Sequence, residues 1–407
     1  MNKKLIKLAI LSVSLLTIMA GAAISPALGD IALAFPNASE TTIKLILTLP
    51  SVMIIPFIFV SSFLTRRYQK KHILFVGMLF YLVGGLGGGL VPTIELLLFF
   101  RAVLGIGVGL MMPISTSLVA DFFDGEERTA TMGQVSAANN LGGVVLFIMS
   151  GVLAAISWRM AFSVYILVLV AAIIVFFYLP KTKVDYSRQE IKLQPLPKQI
   201  YVFGVAMFFI VLAFHSIPVN VALFMQQEGI GNAQIAGIVI SVGTAAGFVA
   251  GLLLARSKRL LHTYFITIML VIMAFGFLTV GISQISFITG LGVGILGFGF
   301  GSIMPTVFDE VSRQVPRVQT VQAMAVVTGM LFFGQFFSPI LLDSVGYLFG
   351  NESIRFTYQF LSASMFLVAI GFFLKTMLMQ KQIKELEVRR NKPTTSTLAA
   401  KEKQRSM

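Results

Sequence analysis

The sequence predicts an all-α integral membrane protein of twelve transmembrane helices in two pseudo-symmetric six-helix bundles. Three observations predict it. The 407-residue chain is 57% hydrophobic and 12% charged, with a mean hydropathy of +0.89, against roughly 25% charged residues in a soluble domain. Uncharged runs close to the ~20 residues that a helix needs to cross a bilayer recur along its length. Finally, the pattern Gly105, Gly107, Gly109, Met112, Pro113 returns 192 residues later as Gly297, Gly299, Gly301, Met304, Pro305, and Pro26 and Pro218 share that offset. One offset at separate landmarks marks a unit written twice.

In order, the uncharged runs are 8–29, 45–65, 73–94, 102–120, 129–158, 160–180, 199–227, 229–255, 263–308, 318–342 and 356–374. The run 263–308 is too long for one helix and has a polar break at 281–286, which makes twelve helices. The first run follows Lys3, Lys4 and Lys7 and resembles a signal peptide, but Pro26 is the counterpart of Pro218, so we expect it to be retained as helix 1. Between helices 6 and 7, Pro180, Pro195 and Pro197 lie among mixed charges, as in a linker. The expected units are an N-terminal bundle, 1–180, a cytoplasmic linker, 181–198, a C-terminal bundle, 199–380, and a basic cytoplasmic tail, 381–407.

The formal net charge of +14 reflects topology rather than nucleic-acid binding. With an even helix number both termini share a side, and 27 of the 31 Lys and Arg fall there; Lys44, Arg159 and Arg355 fall on the other side and Arg101 within helix 4. Positive residues stay inside, so both termini are expected in the cytoplasm of a multi-pass cell-membrane protein.

Several chemistries are excluded. With no cysteine and only three distant histidines, His72, His215 and His262, neither thiol catalysis nor a metal centre is expected. The segment 292–297 matches GxGxxG, but that fingerprint binds phosphates only between a strand and a helix; in mid-membrane it packs helices. No Gly-Lys dipeptide occurs, so there is no Walker A loop. No cofactor is expected, nor is any enzymatic activity, because no nucleophile and base or paired carboxylates share one depth.

Charge within the bilayer is costly and therefore informative. Arg101 is either a snorkelling side chain near the outer surface or a coupling cation that binds an anionic group. Asp30 either exchanges protons at the outer end of helix 1 or simply ends a solvated helix. His215 in helix 7 titrates near physiological pH and is a relay candidate or a hydrogen-bonded core residue. Asn139 and Asn140 in helix 5 and Gln335 in helix 11 either bond neighbouring helices or line a substrate path. Met112 and Met304 are further cavity candidates, since methionine repacks readily. Gly105, Gly109, Pro113, Gly142, Gly297, Gly301 and Pro305 are candidates for hinges or gates. The run of glycines at 84–89 is read as close packing of helix 3.

These residues resemble the major facilitator superfamily, and within it the bacterial twelve-helix drug:proton antiporters, over residues 1–380. The segment Leu97 to Gly107 resembles motif B, which implies a proton-coupling role for Arg101. Gly133, Gly142 and Gly151 fit the spacing of motif C, although Leu146-Phe147 replaces its Gly-Pro pair. Trp158-Arg159 resembles the step that opens helix 6. In the region of motif A, Arg67, Lys70 and Lys71 fit, whereas Arg66 stands where an aspartate belongs. Asp121, Asp124, Glu126 or Glu127 is therefore expected to pair with Arg66 or Arg67 as an inter-helix clamp.

The expected protein is a monomeric secondary transporter in the lipid bilayer, its cavity lined mainly by helices 1, 4, 7 and 10. It exports hydrophobic or amphipathic small molecules, multidrug-type, in exchange for protons, with Arg101 coupled to Asp30 or His215. Two alternatives are uptake of a small organic anion by proton symport and a non-transporting membrane sensor.

Overall fold

The computed structural model describes residues 3–180, 195–316 and 319–390, so most of the expected linker and the tail beyond 390 lie outside the described residues. Eleven spans are long and apolar enough to cross a membrane; one, Ala233–Ile282, is 50 residues long and divides at a 3₁₀ turn, His262–Tyr264, where His262 takes φ 45°. Twelve helices result among the described residues. They are α1 (Lys3–Ala34), α2 (Glu40–Leu64), α3 (Lys70–Leu90), α4 (Ile94–Phe122), α5 (Gly125–Ile156), α6 (Trp158–Tyr178), α7 (Lys198–Gln227), α8 (Ala233–Leu261), α9 (Phe265–Ile282), α10 (Ser286–Arg313), α11 (Thr320–Leu348) and α12 (Ile354–Arg390).

The polar break at 281–286 separates α9 from α10 as expected. Several ends extend beyond the apolar runs. Helix α8 continues through Arg256, Lys258 and Arg259, because lysine and arginine in a last turn complement the helix dipole and reach polar surroundings on long stems. Helix α12 runs ten residues past position 380. Helix α1 is broken by a 3₁₀ turn, Ser25–Ala27, around Pro26.

The doubled glycine pattern is a packing code. Glycines two residues apart point to opposite sides of a helix, and here they face different neighbours. A Cβ on Gly105 would lie 2.6 Å from the Pro50 carbonyl oxygen and one on Gly109 2.8 Å from that of Ile54, both on α2; one on Gly107 would lie 2.6 Å from the Gly77 carbonyl on α3. The second copy repeats this: Gly297 abuts the backbone of Gly243 and Gly301 that of Gly247 on α8, while Gly299 abuts Met269 on α9. Backbones thus touch where van der Waals contact must replace the hydrophobic effect.

The helix ends far from the termini are tied in the same way in both halves, at Gly89 and, 192 residues on, at Gly281, by arginines that do not themselves keep that offset. Arg159 donates to the Gly89 carbonyl (3.0 Å) and the Val91 carbonyl (2.9 Å), tying α6 to the end of α3. Arg355 donates to the Gly281 carbonyl (3.0 Å), tying α12 to the end of α9.

Candidate functional site

Three regions carry the polar chemistry of the membrane interior. The first surrounds Arg101, which is fully buried. Its Nε donates to the Ile46 carbonyl on α2 (2.7 Å), one terminal nitrogen to the Tyr165 hydroxyl on α6 (2.6 Å) and the other to the Ala20 carbonyl on α1 (2.6 Å). Tyr165 in turn donates to the Ala20 carbonyl (3.0 Å). Tyr81 packs edge-on to Tyr165, ring centroids 5.5 Å apart, and its buried hydroxyl has no partner. Arg101 therefore fastens α1, α2, α4 and α6 together through oxygen acceptors, the partners that a charge inside a membrane requires. The snorkelling reading is corrected: the side chain points into the bundle. Neither Asp30 nor His215 is among its partners; both are partly exposed, with no hydrogen bond or ion pair among the described residues.

The second region is a cavity of about 800 Å³ between the halves. Ile18 of α1, residues 132–140 of α5, Phe214 of α7, residues 243–254 of α8 and residues 297–308 of α10 supply its walls. Helices 5 and 8 thus contribute where helix 4 was expected. Among the described lining residues none is ionisable; the polar ones are Ser136, Asn139, Asn140 and Thr244. The rings of Phe214 and Phe300 stack at 3.8 Å. The Asn139 Oδ1 atom is buried without a partner, and Asn140 donates to the Ser136 carbonyl within its own helix (2.9 Å). Gly297, Gly301, Met304 and Pro305 line the cavity, so the second copy of the pattern has one side on α8 and another on this space. Gln335 and Met112 do not line it. Gln335 accepts from Ser51 across the α2–α11 contact (2.9 Å), Met112 packs against the core, and Gly142 meets Leu15 of α1.

The third region closes the side far from the termini. Lys44 of α2, only 3% exposed, donates to Asp343 Oδ1 on α11 (2.7 Å) and lies 3.4 Å from Glu40. Thr41 donates to the other Asp343 oxygen (2.7 Å), and Gln227 of α7 donates to Glu40 (2.7 Å). Ser25, next to Pro26, donates to the Pro218 carbonyl. Nearby, α5 and α8 interlock: a Cβ on Gly237 would lie 2.5 Å from the Phe147 carbonyl and one on Gly151 2.8 Å from that of Ala233.

Towards the termini the same two helices part, since a Cβ on Gly133 or Gly251 would meet nothing within 4 Å. The ion pairs at that end stay within one half: Lys70 with Asp121 (2.5 Å) and Lys258 with Asp309 (3.3 Å). The expected clamp is thus corrected in its base. Lys70 holds Asp121, while Arg67 lies over the Phe63 ring and neither Arg66 nor Arg67 pairs with an acid among the described residues.

Sequence reasoning passed over Lys44 and Asp343 because each sits at the edge of an apolar run, where charges are ordinarily solvated. Their only signal was that Lys44 is one of three basic residues on the far side.

The model of the Major Facilitator Superfamily matches residues 10–339. Multidrug resistance protein 3 of Bacillus subtilis (strain 168) is 30% identical over 131 residues, 31% of this chain and 25% of that protein. Multidrug resistance protein 1 of the same organism is 30% identical over 127 residues, 31% of this chain and 33% of that protein. The matched segments thus span a quarter to a third of these relatives. Among solved structures, a D-xylose-proton symporter superposes with a TM-score of 0.73 at 18% identity, covering 91% of this chain and 97% of that one. A bacterial homologue of the human lysosomal transporter Spinster, inward-facing and occupied, gives 0.72 at 14% identity, covering 92% and 97%. At these identities the structures speak for the fold. With the doubled six-helix frame, the inter-half cavity and a family match over most of its length, the chain belongs to the Major Facilitator Superfamily and is a multi-pass membrane transporter.

Proposed function

We propose that the protein exports uncharged or weakly polar, hydrophobic or amphipathic small molecules across the cell membrane in exchange for protons, by alternating access. The observation that carries this reading is the cavity between the halves, walled by aromatic, methionine and small residues with no ionisable side chain among those described. An ion entering it would lose hydration without gaining a counter-charge, which is expensive, whereas an apolar or aromatic molecule gains contact area and ring stacking. The relatives named for multidrug resistance support the same substrate class. The distribution of lysine and arginine supports placing both termini, and the open end of the cavity, in the cytoplasm.

Uptake of an organic anion has less support. It needs a cation on the substrate path, and the Arg101 guanidinium is committed to Ile46, Tyr165 and Ala20. We assign Arg101 to the N-terminal half as an internal fastener whose charge senses the proton-coupled state, in a bundle that works as a monomer. The two halves move relative to one another, and the residues lining the cavity are presented to each side in turn.

A screen of uncharged aromatic compounds in proteoliposomes containing an internal pH dye tests the proposal. Outward movement of a compound with inward movement of protons is expected, and Arg101→Ala should abolish it while the protein still elutes as a folded species. Co-directional movement of protons and substrate, or full activity in Arg101→Ala, would overturn it.

A further inference from the structure

The offset of 192 relates the α2–α11 contact to the α5–α8 contact, and the residues exchanged between them differ in kind. On α2 and α11 the facing residues are Thr41, Lys44 and Ser51 against Asp343 and Gln335. Their counterparts on α8 and α5 are Ala233, Ala236 and Gly243 against Gly151 and Gly143, in the region where backbones approach within contact distance. One seam is closed by an ion pair and hydrogen bonds. The other is closed by glycine.

From this we infer that the α2–α11 seam is a proton-released latch, with Asp343 as its proton-exchanging group, and that the α5–α8 seam is the pivot about which the far side opens. Opening at the α2–α11 seam separates Lys44 from Asp343, which sit on different halves. While Asp343 is a carboxylate, separation strands two charges, one of them on a lysine that is almost wholly buried. A proton taken up by Asp343 from the far side removes its charge and leaves Lys44 with Glu40, on its own helix, as the remaining anion. The open arrangement then binds one more proton than the closed one, so acid on the far side favours opening. The ionisable groups around Asp343 are Lys44 and Glu40 on α2, Tyr347 on α11 itself and Glu352 before α12; Gln227 of α7 reaches Glu40 and does not titrate. No titratable group stands at the equivalent positions on α5 and α8, so the pivot is indifferent to pH.

The inference rests on alternating access but not on what is carried or in which direction, so it is tested without substrate. The absence of cysteine allows spin-label pairs at Ser39→Cys with Tyr347→Cys across the latch and at Ile156→Cys with Gln234→Cys across the pivot. Distances are measured by pulsed electron resonance in nanodiscs at pH 8 and pH 5. The latch pair should lengthen at pH 5, with the separated population rising, while the pivot pair moves little. Asp343→Asn should give the long latch distance at both pH values, Asp343→Glu should keep the response, and Glu40→Gln should keep it too. A latch distance independent of pH in the parent, an unchanged pH response in Asp343→Asn, or equal lengthening of both pairs would overturn the inference. Failure of proton-coupled export in vesicles would leave these distances unaffected.

Discussion

The two contacts that close the far side occupy equivalent places in a duplicated frame and hold by opposite means. At α5–α8 the halves meet through Gly151 and Gly237 with no side chain between them. At α2–α11 they meet through Lys44, Thr41 and Ser51 reaching Asp343 and Gln335. A glycine contact is short-ranged and steep: it tolerates rolling and fails when anything is inserted. A charged contact tolerates insertion poorly too, but its strength depends on protonation. Symmetry of backbone is therefore compatible with asymmetry of control, and the difference resides in side chains that a duplicated gene is free to change.

The largest effect should come from crowding the pivot. Gly237→Leu drives a side chain into the Phe147 carbonyl and should destabilise the protein by about 3 kcal/mol, the upper range for overpacking; Gly251→Leu, in open space, should be neutral. Thermal midpoints followed by size exclusion compare them, and equal behaviour would show that the pinch is not tight. Next, Lys44→Met strands Asp343 without its counter-ion, at a cost of about 2 kcal/mol, below the range for a fully buried pair because Asp343 is 22% exposed. Adding Asp343→Asn should recover most of that loss, and a double variant no more stable than Lys44→Met would break the comparison. Ser51→Ala removes one hydrogen bond from the latch seam, about 1 kcal/mol, visible as a shift in denaturation midpoint. Smallest of all, Lys258→Ala at the open end removes an exposed pair within one half and should change stability by less than about 0.5 kcal/mol.

Much of the frame was legible in the sequence because its signals are local or periodic. Apolar runs of spanning length gave the helices, Ser283 and Gln284 in an otherwise apolar run marked the division of α9 from α10, and the offset of 192 related the halves. Arg101 was legible as a charge inside an apolar run, though its acceptors were not, since Ala20 and Ile46 offer backbone carbonyls that carry no sequence mark. The cavity walls were less so. Glycine reads alike whether it faces a neighbouring helix, as Gly105 does, or partly a cavity, as Gly301 does, so helices 5 and 8 could not be told from helix 4. Lys44 and Asp343 were illegible for a different reason. Their partnership joins positions 299 residues apart, and nothing in either neighbourhood specifies the other.

The cavity wall has one more consequence, which is electrical. Moving an elementary charge through 100 mV is worth about 2.3 kcal/mol, and a wall without ionisable groups contributes no gating charge of its own when the halves rock. With an uncharged cargo, the membrane voltage acts on the carried protons and on charges of the frame such as Arg101, Lys44 and Asp343. The current recorded during turnover is then a direct count of protons, and cargo size or shape should alter its rate without altering the charge moved per cycle.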